Sequence, residues 1–67
     1  MFITYNGIEL EIEAEVSLYD YLHKQGLSDQ PGIAVAVNEI VIPRTDWQDH
    51  ILKPNDTVLV IKATQGG

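Results

Sequence analysis

The chain has 67 residues and no cysteine, so it is one small domain that neither a disulfide nor a thiolate zinc site can stabilise. Its composition, 45% hydrophobic and 21% charged, is typical of a globular protein and excludes a disordered one. The net charge of −6 argues against nucleic acid as a partner, because an acidic surface repels phosphate. No signal-peptide pattern and no apolar run of the roughly 20 residues that span a membrane is seen. The composition therefore predicts a cytoplasmic protein with no membrane partner.

The first predicted element in chain order is a hairpin. Residues 1–5 and 8–13 flank Asn6-Gly7, a dipeptide that accepts positive φ at both turn positions. A two-residue turn at this dipeptide leaves one face of the hairpin uniformly apolar, so the strand register and the hydrophobic pattern agree. The opposite face carries Phe2, Thr4, Glu9 and Glu11.

A short helix follows, over residues 18–25. Ser17 is its predicted N-cap, and Asp20 places a negative charge in the first turn, where the helix dipole favours it. Gly26 stands where a helix commonly ends in the left-handed conformation, as in a Schellman motif. The two ends of this helix are thus better specified than its middle.

Three further strands are predicted after the helix. Residues 33–37 form a strand with small alanines on one face, where the helix can approach closely. Residues 40–42 form a short strand that Pro43 ends, which suits the edge of a sheet. Trp47 is expected to cover the bottom of the core with its indole N–H reaching water. Residues 58–61 are an uninterrupted apolar run, typical of a central strand, and we place them beside the first strand.

The order of these elements indicates the fold class. A hairpin, one helix and three more strands predict an α+β domain, in which a mixed sheet of four to five strands carries one main helix across one face.

Few side chains in the sequence could carry catalysis or bind a metal. His23 and His50 are the two histidines, and neither stands in the order of a catalytic triad. Asp46 and His50 stand four residues apart, but two ligands in an irregular segment are a weak basis for a metal site. No glycine-rich phosphate loop is present. The sequence therefore predicts a protein that is not an enzyme, with no catalytic residue and no bound metal.

The end of the chain is the most distinctive stretch. The final apolar strand passes into a polar segment that closes with Gly66-Gly67. Glycine has no Cβ to block close approach, so such a terminus can enter a narrow slot in another protein; the alternative is a frayed end. We predict a globular domain over residues 1–63 and a flexible tail over residues 64–67.

One face of the final strand is a candidate docking surface. Lys62 is expected to point outward, which places Val58 and Val60 on the same outward face. If the final strand lies beside the first, Phe2 joins them and forms an apolar patch that leads to the tail. The alternative is that a small sheet simply leaves such residues half exposed.

Three segments stand out as a set: residues 36–47, with the pattern Asn-x-x-x-x-Pro-Arg-x-x-Trp, residues 56–59, and the terminal Gly66-Gly67. Together they resemble the ThiS family, the sulfur carrier proteins of thiamine biosynthesis. The resemblance covers nearly the whole chain and implies a ubiquitin-like β-grasp fold. Two departures are Asn55, where family members often have glycine, and residues 63–65, which are more polar than is common there.

The resemblance also implies a mechanism. An E1-like adenylyltransferase of the ThiF type would use ATP and Mg²⁺ to adenylate Gly67. A persulfide donor would then convert Gly67 to a thiocarboxylate, which a thiazole synthase of the ThiG type would use. Gly66 and Gly67 would together be the working terminus, and Thr64 and Gln65 would enter the partner with them. The carrier would bind no cofactor itself and would be a monomer when free.

Other classes of protein share parts of this pattern. A sulfur carrier of the molybdopterin synthase type, or of another pathway, has the same terminal Gly-Gly, but the short chain and the Pro43-Arg44-x-x-Trp47 pattern favour the thiamine type. A ubiquitin-like binding module or protein modifier would need no sulfur. An RNA-binding β-grasp domain is a third alternative, which the net charge of −6 disfavours.

Overall fold

The computed structural model describes residues 1–62. They form one mixed sheet with a single α-helix. The strands are β1 (Phe2–Tyr5), β2 (Ile8–Glu11), β3 (Ile33–Val37), β4 (Ile40–Val41) and β5 (Thr57–Lys62), and the helix is α1 (Leu18–Lys24). The predictions for Thr64, Gln65, Gly66 and Gly67 concern residues outside this range.

The sheet has the strand order β2-β1-β5-β3-β4, so β5 lies at its centre. Strand β5 runs parallel to β1 and antiparallel to β3, and the two outer pairs are antiparallel. The predicted fold class and the central position of the last strand are confirmed. The predicted edge strand is also confirmed, although it ends at Val41 rather than at residue 42.

The predicted hairpin register is confirmed. Ile3 is paired with Leu10 across the two strands, and the turn residues have φ of 48° at Asn6 and 84° at Gly7. Both residue types accept these left-handed values at little cost. Local turn chemistry therefore accounts for this part of the fold.

The caps at the two ends of α1 are also as predicted. Ser17 Oγ accepts the N–H of Asp20 at 3.0 Å, which satisfies one of the free donors of the first turn. At the other end, the N–H of Leu27 donates to the carbonyl of Leu22 at 2.9 Å, and Gly26 has φ of 75°, which together make a Schellman motif. The helix ends at Lys24, one residue earlier than predicted, and residue 25 is its C-cap.

The core lies between α1 and one face of the sheet. Its buried apolar residues are Ile3, Leu18, Tyr21, Leu22, Leu27, Val35, Val37, Trp47, Leu52 and Val58. Trp47 is only 1% exposed, and its indole N–H donates to the carbonyl of Ile42 at 2.9 Å. The prediction that this N–H would reach water is therefore wrong, because a nearby main-chain carbonyl that β4 leaves free accepts it.

Two predictions about which face of the sheet is covered are wrong: Val58 and Val60 do not point outward, and the alanines of β3 do not face the helix. Val58 is 0% exposed and Val60 packs against the core, because Val58 pairs with Tyr5, whose side chain lies on the helix side. Lys62 shares this side and reaches solvent because it lies at the end of the strand. The alanines Ala34 and Ala36 pair with Ile61 and Leu59. They face away from the helix.

The hydroxyl of Tyr21 is buried and has no hydrogen-bond partner among residues 1–62. Burial raises the pKa of Tyr21 above its ordinary 10.0, and the nearby Tyr5, whose ring centroid lies 5.5 Å away, adds to this rise. Because the folded-state pKa is raised, this group does not lower stability below about pH 10, and stability falls as the pH rises through the folded pKa, since the folded state holds the proton more tightly than the unfolded state.

We therefore expect Tyr21→Phe to leave the free energy of unfolding unchanged or to raise it by about 1 kcal/mol, since it removes an unpartnered buried hydroxyl. The variant should also lose less stability than the wild type between about pH 9 and pH 11. Urea unfolding across this pH range measures both effects. The matched control is Tyr19→Phe, because Tyr19 is a half-buried tyrosine on the same helix. An equal gain in the free energy of unfolding there would contradict the role given to the buried Tyr21 hydroxyl.

Candidate functional site

The site is built on β5, because this strand leads directly to the terminal segment. Strand β5 has neighbours on both sides, β1 and β3. Two asparagines, one near each end of the strand, extend this pairing through their side chains. Strand β5 is therefore held by hydrogen bonds on both sides, and its pairing with β3 continues to Lys62.

Asn38 holds the beginning of β5. Its Oδ1 accepts the N–H of Thr57 at 2.9 Å, and its Nδ2 donates to Oδ1 of the buried Asp56 at 2.9 Å. The other oxygen of Asp56 accepts the N–H of Lys53 at 2.9 Å, which closes the turn that enters the strand. Asn55 has φ of 70° in this turn, so asparagine serves where glycine is common in the family that the chain resembles.

Arg44 ties the loop between α1 and β3 to Trp47 of the core. Its guanidinium donates to the carbonyl of Ser28 at 2.6 Å and to that of Gln30 at 2.7 Å. The same group lies 4.5 Å from the centre of the Trp47 ring, in cation–π geometry. The residues Asn38, Arg44 and Trp47 of the sequence pattern thus have structural roles.

Asn6 holds β5 closer to its end. The N–H of Val60 donates to Oδ1 of Asn6 at 2.8 Å, while the N–H of Asn6 donates to the carbonyl of Val58 at 2.9 Å. The Asn6-Gly7 dipeptide predicts only the turn, and the second role of Asn6 depends on the approach of β5 in the folded chain.

The exposed apolar residues of β5 are Leu59 and Ile61, which are 45% and 56% exposed. They lie on the face of the sheet opposite α1. Leu59 is level with Ala36 on β3 and, beyond it, with Val41 on β4, while Ile61 is level with Ala34. We call these five residues the tail-side patch: Ala34, Ala36, Val41, Leu59 and Ile61.

The predicted docking residues are thus only partly in place. Val58 and Val60 belong to the helix side of the sheet. Phe2 is exposed on the open face, as predicted, but Thr4 and Thr57, which are paired with each other, separate it from the tail-side patch. Alternation along β5 could have found Leu59 and Ile61, had the pairing with β1 been used to decide which residues face the core.

Acidic residues border the apolar part of this open face. Glu9 is paired with Thr4 and Glu11 with Phe2, so the two carboxylates lie on the same side as the tail-side patch. With the net charge of −6, this arrangement favours a partner that presents basic groups around an apolar contact.

The histidines lie away from this face. Nδ1 of His23 is 3.0 Å from Oγ of Ser28, and its ring stacks on Tyr19. The carbonyl of His50 accepts the N–H of Leu18 at 2.7 Å. Among residues 1–62, no group of three or more side chains that could hold a metal ion occurs. Within the same residues no helix is long and apolar enough to cross a membrane.

A five-stranded mixed sheet that carries one helix across one face, and whose central last strand leads to the terminal segment, defines a ubiquitin-like β-grasp protein. A sequence model of the ThiS family matches residues 3–67. The chain belongs to the ThiS family.

Individual relatives agree with this assignment. Sulfur carrier protein ThiS of Escherichia coli (strain K12) is 28% identical to the chain over 67 residues, with all of both chains aligned. The crystal structure of a thiamine biosynthesis protein (ThiS) from Geobacter metallireducens superposes with a TM-score of 0.86 at 20% identity, covering 100% of each chain. The NMR solution structure of a thiamine biosynthesis protein from the same organism gives 0.79 at 20% identity and covers 100% of this chain and 88% of that one. These two structures support the fold.

Proposed function

We propose that this chain carries sulfur on Gly67, as a thiocarboxylate, for the formation of the thiazole of thiamine. The observation that carries the proposal is the ThiS family match over residues 3–67, which includes both terminal glycines. Membership of that family makes the chain a small sulfur carrier protein, and we propose that it is not an enzyme but a protein on which other enzymes act.

The proposed chemistry begins with activation, because a carboxylate is a poor electrophile. A ThiF-type adenylyltransferase transfers AMP from ATP, with Mg²⁺, to the Gly67 carboxylate and releases pyrophosphate. The terminal sulfur of a persulfide then attacks the acyl carbon, and AMP leaves. A thiol cleaves the remaining S–S bond, which yields the Gly67 thiocarboxylate and a disulfide. A ThiG-type thiazole synthase takes the sulfur.

What the chain contributes to this chemistry is a terminus that can enter an active site, rather than catalytic side chains. Residues 63–67 follow the last described residue, Lys62, and five extended residues reach about 17 Å. Two terminal glycines without Cβ atoms suit a narrow catalytic slot, and we propose that Thr64 and Gln65 line its entrance. The rigid pairing of β5 supports this proposal, since a fixed strand presents the tail in one direction.

We propose that the activating enzyme docks on the tail-side patch. Leu59 and Ile61 are the exposed apolar residues of the strand that leads to Gly67, so an enzyme that receives the tail has this apolar surface close to its slot. Glu9 and Glu11 on the same face suit basic residues around the enzyme's slot. We further propose that the free carrier is monomeric, because its net charge of −6 opposes self-association, and that it works in the cytoplasm, where ATP is available.

The test is the intact mass of the chain after incubation with ATP, Mg²⁺, a ThiF-type adenylyltransferase and a persulfide-generating desulfurase. We expect a gain equal to the replacement of one oxygen by sulfur, and no gain when Gly67 is deleted. The product should then support thiazole formation by a ThiG-type synthase.

Other outcomes separate the alternatives. A thiocarboxylate that supports molybdopterin synthesis but not thiazole formation would assign the chain to the other carrier type. Isopeptide conjugates to lysine would indicate a protein modifier. An unchanged mass with an enzyme that activates another carrier would contradict the proposal.

A further inference from the structure

The side chain of Asn6 replaces a main-chain group in the sheet. In the parallel pair of β1 and β5, the N–H of Thr4 donates to the carbonyl of Asp56, and the N–H of Asn6 donates to the carbonyl of Val58, both at 2.9 Å. The next donor on β5 is the N–H of Val60. Its acceptor is Oδ1 of Asn6, at 2.8 Å, in the position that a main-chain carbonyl would occupy if β1 continued.

This bond lies where β5 extends beyond the end of β1. The paired register between β1 and β5 ends at Tyr5 and Val58, because the chain leaves the sheet in the turn at Asn6. Strand β5 continues to Lys62, and on its other side the pairing with β3 also continues to Lys62. The Asn6 side chain therefore supplies the hydrogen bond on the β1 side for the last part of the strand.

We propose that Asn6 is a positioning residue, which fixes the direction in which β5 leaves the sheet and so the direction in which the tail reaches the activating enzyme. This inference rests on the proposed function, because it assumes that Gly67 is delivered to an adenylyltransferase. Asn6 touches no reacting atom and acts through Val60. Its loss should leave binding at the tail-side patch intact but reduce how often a docked tail is aligned for reaction.

Asparagine meets two requirements at this position. Its φ of 48° is left-handed, which glycine, asparagine and aspartate accept best. Of these three, only asparagine and aspartate offer a side-chain oxygen to the N–H of Val60. Asn6→Gly therefore keeps the turn and removes the acceptor, whereas Asn6→Asp keeps both.

The first measurement is hydrogen exchange at the Val60 amide in the free chain. One hydrogen bond corresponds to a factor of about five in an equilibrium constant, so Asn6→Gly should speed exchange about fivefold or more. Asn6→Asp should restore protection. Asn55→Gly is the matched control, because Asn55 is also left-handed and its side chain makes no hydrogen bond within residues 1–62. Unchanged exchange in Asn6→Gly would overturn the anchoring role.

The second measurement is pyrophosphate release by the ThiF-type enzyme at varied carrier concentration. We expect Asn6→Gly to lower kcat about fivefold with KM changed less than twofold, and Asn6→Asp to recover the rate. A rise in KM alone, with a lower melting temperature, would mean lost folded protein and would overturn the positioning role, as would faster exchange with unchanged kinetics. If the wild-type chain is not adenylated, the proposed function and the positioning role both fail, and the exchange data alone decide whether Asn6 anchors Val60.

Discussion

Ile61→Glu is expected to slow adenylation of Gly67 about 100-fold at subsaturating carrier while leaving the domain folded. Ile61 is more than half exposed on the open face, so the substitution removes no core contact. In the docked complex, however, the new carboxylate would be buried against an apolar surface. Burying an unpaired charge costs several kcal/mol, and a loss of about 2.7 kcal/mol corresponds to 100-fold in affinity.

The measurement is the rate of pyrophosphate release, with the folded state checked by thermal unfolding. Ile8→Glu is a matched control: it makes the same change of charge at a residue that is 63% exposed and that pairs with Tyr5, which places it on the helix side of the sheet, opposite the tail-side patch. We expect Ile8→Glu to react within about threefold of the wild type. Equal losses in the two variants would show that added charge, and not docking at the tail-side patch, accounts for the effect.

A second control decides how far the docking surface extends. Phe2 lies on the same open face but beyond Thr4 and Thr57, so Phe2→Glu is expected to have an effect between those of Ile8→Glu and Ile61→Glu. A loss as large as that of Ile61→Glu would extend the surface across β1, in agreement with the original expectation for Phe2.

Trp47→Ala is expected to unfold most of the protein at 37 °C. Removing a buried tryptophan costs about 3–5 kcal/mol, and a domain of this length has a total stability of only about 3–10 kcal/mol. The substitution also leaves the carbonyl of Ile42 without the indole donor and removes the ring on which the Arg44 guanidinium lies. Circular dichroism during thermal and urea unfolding would measure the loss.

Trp47→Phe separates these contributions. It keeps most of the apolar volume and loses the hydrogen bond, so a cost of about 1–3 kcal/mol is expected. If Trp47→Ala lowers the free energy of unfolding by less than about 1 kcal/mol, Trp47 does not support the core in the way that its burial indicates. Both variants should keep the chemistry of the tail in whatever fraction remains folded.

Much of the fold follows from local signals in the sequence. The Asn6-Gly7 turn, the Ser17 cap and the left-handed stop at Gly26 each depend on residues within a few positions of one another, and all three are present as predicted. The family assignment also came from the sequence and is confirmed over residues 3–67. The sequence shows the residues that carry the resemblance, among them Asn38, Arg44 and Trp47, but it does not show what each of them contacts.

Pairing between distant segments decided what the sequence left open. A strand pattern alternates between two faces, yet a uniformly apolar run such as Val58-Leu59-Val60-Ile61 does not show which face is covered. Placing Lys62 outward gave the wrong answer, because a residue at the end of a strand reaches solvent from either face. The registers of β5 with β1 and with β3 show that Leu59 and Ile61 are the exposed pair.

The sequence by itself thus determined the class of the domain, its family and the terminal glycine proposed to carry the sulfur, because these depend on composition, order and short motifs. The tertiary structure decided the tail-side patch, the network that Asn38 and Asp56 form, and the bond from Val60 to Asn6, which joins residues 54 positions apart. Such contacts depend on how strands far apart in sequence lie side by side, and no local preference of either residue specifies that.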